Sequence, residues 1–402
     1  MIDVAAQGEF SHIRLSIPLS PLHEKVCPAT YLGADSKPVF AQEERMVEDK
    51  IVPTILLDSI AANANQFEAA LLNEVRCHGL ALPHLICKIK GIGEVLDDVT
   101  SLELPHRTFD QFINKSTLGG LRFRDSAIGR ELLAATPKNA TPLFTYDPVS
   151  LLLGVWGQGF GLARLRFARS LQSEIVAYGA VAGVKTSSKS DAFNVPKSIS
   201  IYTSHKDTTN DFRLVQQGDF QNKESPAAVT LGMIPPSVRE TGGITARSYR
   251  QNIGFMLAQL RAYRFPVAGK VSPESDMAAR KVLIALGLLA IAANCQHGYA
   301  IRSGCAFQIQ SVAGPEGTLH DLAVEFLGNS SRNNRVEYAD VTEDFLDELR
   351  QSVGAAIAQA KKTGLPWHDP CVALEPDAEL RLLLGMSADE KKASRTKKPI
   401  AA

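Results

Sequence analysis

The residues best suited to chemistry in this 402-residue chain lie where glycine and arginine run together. Residues 154–161 read Gly-Val-Trp-Gly-Gln-Gly-Phe-Gly, with Arg164, Arg166 and Arg169 close behind. Glycine turns can cradle phosphate, because backbone N–H groups approach it closely. Neither nucleotide fingerprint fits. A dinucleotide loop built on Gly157 and Gly159 needs glycine at position 162, which is Leu162, and no Lys-Ser/Thr pair completes a P-loop. In an extended segment Arg164 and Arg166 share one face, and Leu165 and Phe167 the other. Arg169 then falls on the apolar side unless a bulge intervenes. Two forked guanidiniums beside a glycine hinge suit successive phosphates of a nucleic acid. The plainer reading is an exposed strand face.

A second set follows the Gly242-Gly243 loop. Across residues 245–265 the spacing of Tyr249, Ile253, Met256, Leu257 and Leu260 predicts a helix with one apolar face. Arg247, Arg250, Arg261 and Arg264 would form one adjacent stripe, suited to phosphate or, more simply, a solvated edge of snorkelling arginines. Cys77, His78, His84 and Cys87 offer zinc-type ligands, but their spacing matches no common zinc pattern, so neither metal nor cofactor is expected. No GxSxG or HExxH run is present. Asp97-Asp98 and His368-Asp369 lack a partner motif, and the expectation is a protein that is not an enzyme.

The chain is 45% hydrophobic and 21% charged, enough to bury a large core. Its formal net charge is zero, so a whole-chain test for nucleic-acid binding fails. The charge is uneven, however. Residues 161–270 carry 15 Lys/Arg against 7 Asp/Glu. Such a local excess predicts an anion-binding surface, or else ordinary solvated charge. The first residues lack the basic and apolar regions of a signal peptide. The most apolar run, 282–293, is too short to span a bilayer. A cytoplasmic protein with six free thiols is the expectation.

Among the elements that must position these residues, 53–58 reads as a strand. It leads into a helix with Ile60, Ala64, Phe67, Leu71 and Val75 on one face, capped by Asp58 or Ser59. Ser272-Pro273 starts a helix over 273–295, apolar nearly all round and hence central. Residues 300–310 alternate as one half-buried strand. Residues 321–327 read as a strand and 342–362 as a helix, acidic early and basic late. Segments 183–194, 212–226 and 235–243 read as loops between short strands at 198–203 and 229–234. The tail from about 386 reads as disordered. The fold class is α+β.

The order of motifs resembles the hand-shaped backbone subunit of type I-G (formerly I-U) CRISPR Cascade complexes, within the repeat-associated mysterious protein superfamily. The matching blocks begin with Leu57-Asp58-Ser59, Ala64-Asn65 and Glu68, then Pro105-His106-Arg107 with Asp110 and Phe123-Arg124-Asp125-Ser126. They continue through Pro148, Ser150-Leu151-Leu152 and Gly154-Val155-Trp156 to Ser173-Glu174-Ile175, the Gly-Gly loop, and Arg302-Ser303 with Cys305. Two departures remove charge. Gly157-Gln158-Gly159-Phe160 stands where the family usually has an Asp-Ser-Arg-Gly-like run, and Gln66 stands where it tends to have arginine.

The resemblance implies an RRM-like (ferredoxin-like) palm over residues 1–385 with inserted finger and thumb elements at about 183–243. It also implies a non-catalytic subunit that polymerises along crRNA and presents it to target DNA beside other Cascade subunits, away from any membrane. Phosphate contacts would hold a guide of any sequence, and pairing would read the target. The expected RNA-contacting residues are Arg164, Arg166, Arg169, Arg247 and Arg250, with Arg107, Arg122 and Arg124 next. Two alternatives stand beside this: a ribonuclease of the same superfamily using His106 with Asp110 or Asp125, and a scaffold without nucleic acid.

Overall fold

The computed structural model describes residues 2–7, 10–157, 165–189, 241–314, 317–320, 322–328, 334–338, 341–369 and 371–386, with short stretches between 191 and 239. It divides into two units. The first comprises Met1–Ala29, Ala41–Ala180 and Ala246–Gly385, and the second Thr30–Phe40, Val181–Thr245 and Met386–Ala402. The fold mixes helix and sheet, and its main sheet is a curled antiparallel half-barrel.

That nine-stranded sheet belongs to the first unit. Its strands are β1 (Phe10–Pro21), β2 (Gln42–Val47), β3 (Lys50–Asp58), β4 (Leu171–Tyr178), β5 (Ser248–Met256), β6 (Tyr299–Arg302), β7 (Cys305–Ile309), β8 (Leu322–Gly328) and β9 (Asn334–Tyr338). The spatial order is β6-β7-β1-β5-β4-β3-β2, with β8 pairing both β1 and β9. Strand β1 serves two neighbours along its length: Leu19–Pro21 meet β7, whereas residues 10–15 meet β8.

Three helices complete this unit's main layers: α1 (Ile60–His78), α2 (Pro273–His297) and α3 (Glu343–Lys362). Helix α1 starts as its sequence dictates. Ser59 is the cap, its side chain accepting the Ala62 N–H, and Gly79 closes the far end at φ 68°. Helix α1 packs on β4, α2 packs on α1, and α3 covers α2. Helix α2 is long and apolar enough to cross a bilayer, yet 89% of its apolar window is buried within the protein. It comes close to the sheet at Gly287, where a Cβ would stand 2.5 Å from Cε1 of Phe255. Only glycine lets a ring as large as Phe255, fully buried, seat under the helix.

A smaller five-stranded sheet ties the end of this unit to its middle. In it Val372–Pro376 runs parallel to Leu85–Cys87 and antiparallel to Ser116–Leu118. The second unit is built from short ribbons. Thr30–Leu32 pairs Pro38–Phe40, Val181–Ala182 pairs Ile244–Thr245, and Lys185–Lys189 pairs Ile234–Arg239. Phe212–Leu214, Ile201–Thr203 and Lys223–Glu224 form a three-stranded sheet.

Three expectations are corrected. Residues 248–256 form a strand rather than a helix, with only Leu257–Arg261 helical. The alternation was hidden because Gln251, a polar residue, occupies a wholly buried inward position between Tyr249, Ile253 and Phe255. Its side chain is satisfied there. Nε2 donates to Asn63 Oδ1 at 3.1 Å and Ser173 Oγ at 3.0 Å, and Oε1 accepts from the Tyr299 hydroxyl at 2.7 Å. Residues 300–310 are not one strand but a hairpin, turning at Ser303-Gly304 with Gly304 at φ 75°. Segments 183–194 and 235–243 are not simply loops, since Lys185–Lys189 and Ile234–Arg239 pair. Ile234 and Val238, the apolar residues of this ribbon whose burial is described, are both exposed, so they impose no apolar period. The expected disorder of the tail, and the ends of the two short strands read at 198–203 and 229–234, lie largely outside the described residues.

Candidate nucleic-acid interface

The inward face of the sheet is covered by α1 and α2, and its other face is open among the described residues except at buried Val176. Alternation along the strands decides what that face displays. Strand β1 contributes His12, Arg14 and Ser16; β5 contributes Arg250, Asn252, Gly254 and Met256; β4 contributes Gln172, Glu174 and Tyr178. The register sets these in rows. Arg14 stands opposite Gly254 and Gly254 opposite Gln172, while Ser16, Asn252 and Glu174 form the next row. Above Gly254 there is open space where a Cβ would be. A groove of about 420 Å³ runs here, bounded by His12, Arg14, Gln172, Asn252 and Met256.

Hydrogen bonds order the face. Asn252 Nδ2 donates to the Tyr178 hydroxyl at 2.8 Å, and Ser16 Oγ to Asn252 Oδ1 at 3.2 Å. Arg250 reaches Ser16 Oγ at 3.4 Å. Two of the cations nearby are matched by carboxylates: Arg14 by Glu325 at 2.6 Å, and Arg45 by Glu174. Arg250 has no carboxylate partner among the described residues and is exposed.

A second exposed feature lies at the hairpin of Val155–Trp156 and Arg166–Phe167. Trp156 stands directly across from Arg166, whose guanidinium carbon lies 5.9 Å from the centre of the indole. Beneath it is a buried ionic cluster. Arg107 Nε donates to Glu68 at 2.6 Å and its NH1 to the Gly154 carbonyl at 2.8 Å. Arg169 Nε donates to the Leu153 carbonyl at 3.0 Å. Burial pushes the Glu68 carboxyl up to about 7, against the pull of the Arg107 guanidinium. Burial likewise raises Asp147 to about 6, although Ser150 Oγ donates to it at 2.7 Å.

The sequence-predicted arginines therefore divide. Arg164 lies outside the described residues. Arg166 is exposed, with Leu165 and Phe167 buried on the other side. Arg169 turns toward the apolar side and is committed to the Leu153 carbonyl. Arg107 is only 6% exposed and fully engaged, so it cannot reach an outside phosphate without giving up Glu68 and Gly154. Arg122 is exposed but paired with Asp125 at 2.9 Å. Arg124 is half-buried, Arg247 exposed, and neither has a carboxylate partner among the described residues.

Arg166 and the Arg247/Arg250 pair do not share one short groove. Arg250 stands opposite Val176, near one end of β4, whereas Arg166 precedes Leu171 at the other end. At about 3.3 Å per residue, Leu171 and Val176 alone are ~17 Å apart.

Other candidates resolve into structural roles. Asp58 accepts from Asn63 at 2.6 Å and Gln66 at 2.7 Å, so Gln66 is occupied inside the fold. Asp110 caps a helical turn by accepting the Phe112 N–H at 3.0 Å, and it meets the backbone N–H of His106, not its ring. Cys77 donates to Asn73 on its own helix, the His84 ring meets the Leu82 carbonyl, and Cys87 is buried beside Ser116. Sequence reasoning missed the open sheet face and Trp156 as a site residue. The signal for the latter was an aromatic two residues past a glycine, facing an arginine across a hairpin.

Residues 13–182 match the family model described as CRISPR-associated protein GSU0053 (Cas_GSU0053), which supports a CRISPR-associated protein. No curated protein matches the chain.

Proposed function

We propose that this CRISPR-associated chain is the crRNA-binding backbone subunit of a type I-G Cascade complex, a member of the repeat-associated mysterious protein superfamily with an RRM-like palm. The observation that carries the reading is the family match over residues 13–182, taken with exposed Arg166, Arg247 and Arg250 free of carboxylate partners among the described residues. The strand order supports it. With β2, β3 and β6 set aside as additions at the sheet's two ends, the chain order is strand β1, helix α1, strands β4 and β5, helix α2 and strand β7. In space they lie as β7-β1-β5-β4, the 4-1-3-2 order of a split βαβ sheet. In this reading the protein is cytoplasmic, non-catalytic and without cofactor. It stacks with further copies of itself and other Cascade subunits along the guide, and offers the guide's bases to target DNA.

The test is binding of the purified protein to unrelated single-stranded RNAs across a salt series. The expected result is similar affinity for every sequence and a steep fall with salt, from counterion release. A flat salt dependence, or strong preference for one sequence, overturns the reading. Cleavage of the RNA during incubation favours the ribonuclease alternative instead.

A further inference from the structure

Trp156 is 48% exposed. A single exposed aromatic is ordinary by itself; what surrounds this one is not. The two residues before its strand are each tied by a guanidinium: Leu153 through its carbonyl to Arg169, and Gly154 through its carbonyl to Arg107. Gly154 sits at φ 78°, and a Cβ there would stand 2.8 Å from Arg169 Cγ and 3.0 Å from the Phe167 carbonyl oxygen. Arg107 is held in turn by Glu68, itself 2% exposed. Buried charge of this kind is costly to assemble and contributes little net stability, so its yield is placement. What it places is a two-residue strand whose outward side chain is an indole with an arginine across from it.

We infer that Trp156 and Arg166 form a stacking station for one nucleobase of single-stranded RNA, the indole taking the base and the guanidinium the adjacent phosphate. This rests on the proposed RNA-binding function and extends it. Phosphate contacts alone hold a strand electrostatically and let it slide. An aromatic face adds grip without reading sequence, since every base has a π-face. That is what a guide of arbitrary sequence requires. An arginine beside the ring also favours an anionic polymer over an apolar peptide as occupant.

The experiment compares Trp156→Ala, Trp156→Phe and Arg166→Ala with the wild type, on short single-stranded RNAs and on matched oligomers carrying an abasic stretch. Thermal melts establish that each variant is folded. The expected result is that Trp156→Ala weakens binding to base-bearing RNA roughly tenfold to a hundredfold, while Trp156→Phe keeps most of the affinity. On abasic oligomers Trp156→Ala should match the wild type. Its salt slope should be unchanged, whereas Arg166→Ala should lower the slope by about one. Equal losses on abasic and base-bearing RNA, or no loss with either, overturn the stacking station and leave RNA binding standing. If Trp156→Ala binds RNA normally but loses self-association, the indole is a contact between copies and the inference is wrong. Wild-type protein that binds no RNA overturns both readings.

Discussion

Two populations of arginine do opposite work. Arg107 and Arg169 point inward beneath the Trp156 hairpin, donating to Glu68 and to the carbonyls of Gly154 and Leu153. Arg166 and Arg250 point outward and have no carboxylate partner among the described residues. The residue type is the same, and the guanidinium fork is used in the first case to fix backbone and in the second to remain available. Arginine count and spacing therefore overstate a binding surface. Several of the blocks that carried the family resemblance (Asp58, Glu68, Arg107, Asp110, Ser126, Ser150) are caps, a buried ion pair and buried side-chain hydrogen bonds that shape the fold.

The sharpest way to break this comparison is Arg107→Ala. It leaves Glu68 buried without its cation and frees the Gly154 carbonyl. Removing one partner of a buried pair costs about 3–5 kcal/mol, and chemical denaturation should show a loss of that size. Glu68→Gln keeps an acceptor for Arg107 Nε but leaves the guanidinium buried without its counter-charge, so it too should destabilise the fold. Equal stability of Arg107→Ala and wild type would mean that the inward population is ornamental and that the division drawn between the two is false.

A second, smaller effect tests the inward carboxylates through pH. Burial raises Asp58 from 3.8 to about 6, only partly opposed by the Asn63 hydrogen bond. A carboxyl raised in the folded state binds protons on folding. Its favourable contribution is thus complete below about 4 and is lost as pH rises through about 6. Asp58→Asn keeps an acceptor for Asn63 and Gln66 but cannot ionise. The stability difference between wild type and Asp58→Asn should shift by about 2 kcal/mol against the wild type between pH 4 and pH 7. Glu68 and Asp147 titrate in an overlapping range, so the comparison of the two proteins, not the wild-type curve alone, isolates Asp58. A pH-independent difference would place Asp58 in a solvated setting.

How much of this was legible in the sequence follows the same inward and outward division. Helix α1 and helix α2 were readable because their caps and apolar spacing are local. Strand β5 was not, since Gln251 breaks the apolar alternation and is tolerated only by partners 188, 78 and 48 residues away in Asn63, Ser173 and Tyr299. With that alternation broken, Tyr249, Ile253 and Leu257 passed for a helical face. The ribbon of Lys185–Lys189 and Ile234–Arg239 was invisible because its described apolar residues, Ile234 and Val238, are exposed and set no period. For the arginines, spacing gave the face of Arg166 and the inward lean of Arg169. It could not reveal that Arg107, in a short helical turn, meets a carboxylate on α1. Burial of a charge is a tertiary property, decided by long-range partners.

The smallest expected effect in stability, and the one that sharpens the outward half of the comparison, is Arg250→Ala. Its side chain is exposed, and its one polar contact among the described residues is a long 3.4 Å approach to Ser16 Oγ. Such substitutions fall within about ±0.5 kcal/mol of stability. Arg250 has the same strand position as the inward-facing residues, offset by one, so the strand itself should be undisturbed. If the open face meets RNA phosphate, Arg250→Ala should weaken binding about equally for every sequence and lower the salt slope by about one. Because β4 separates it from Arg166, the two losses should be nearly additive in a double variant. Arg107→Ala, by contrast, should lose RNA binding only in proportion to the folded fraction it loses. An Arg250→Ala protein that is clearly destabilised, or that binds RNA with an unchanged salt slope, would move Arg250 out of the available population and leave the open sheet face without its free cation.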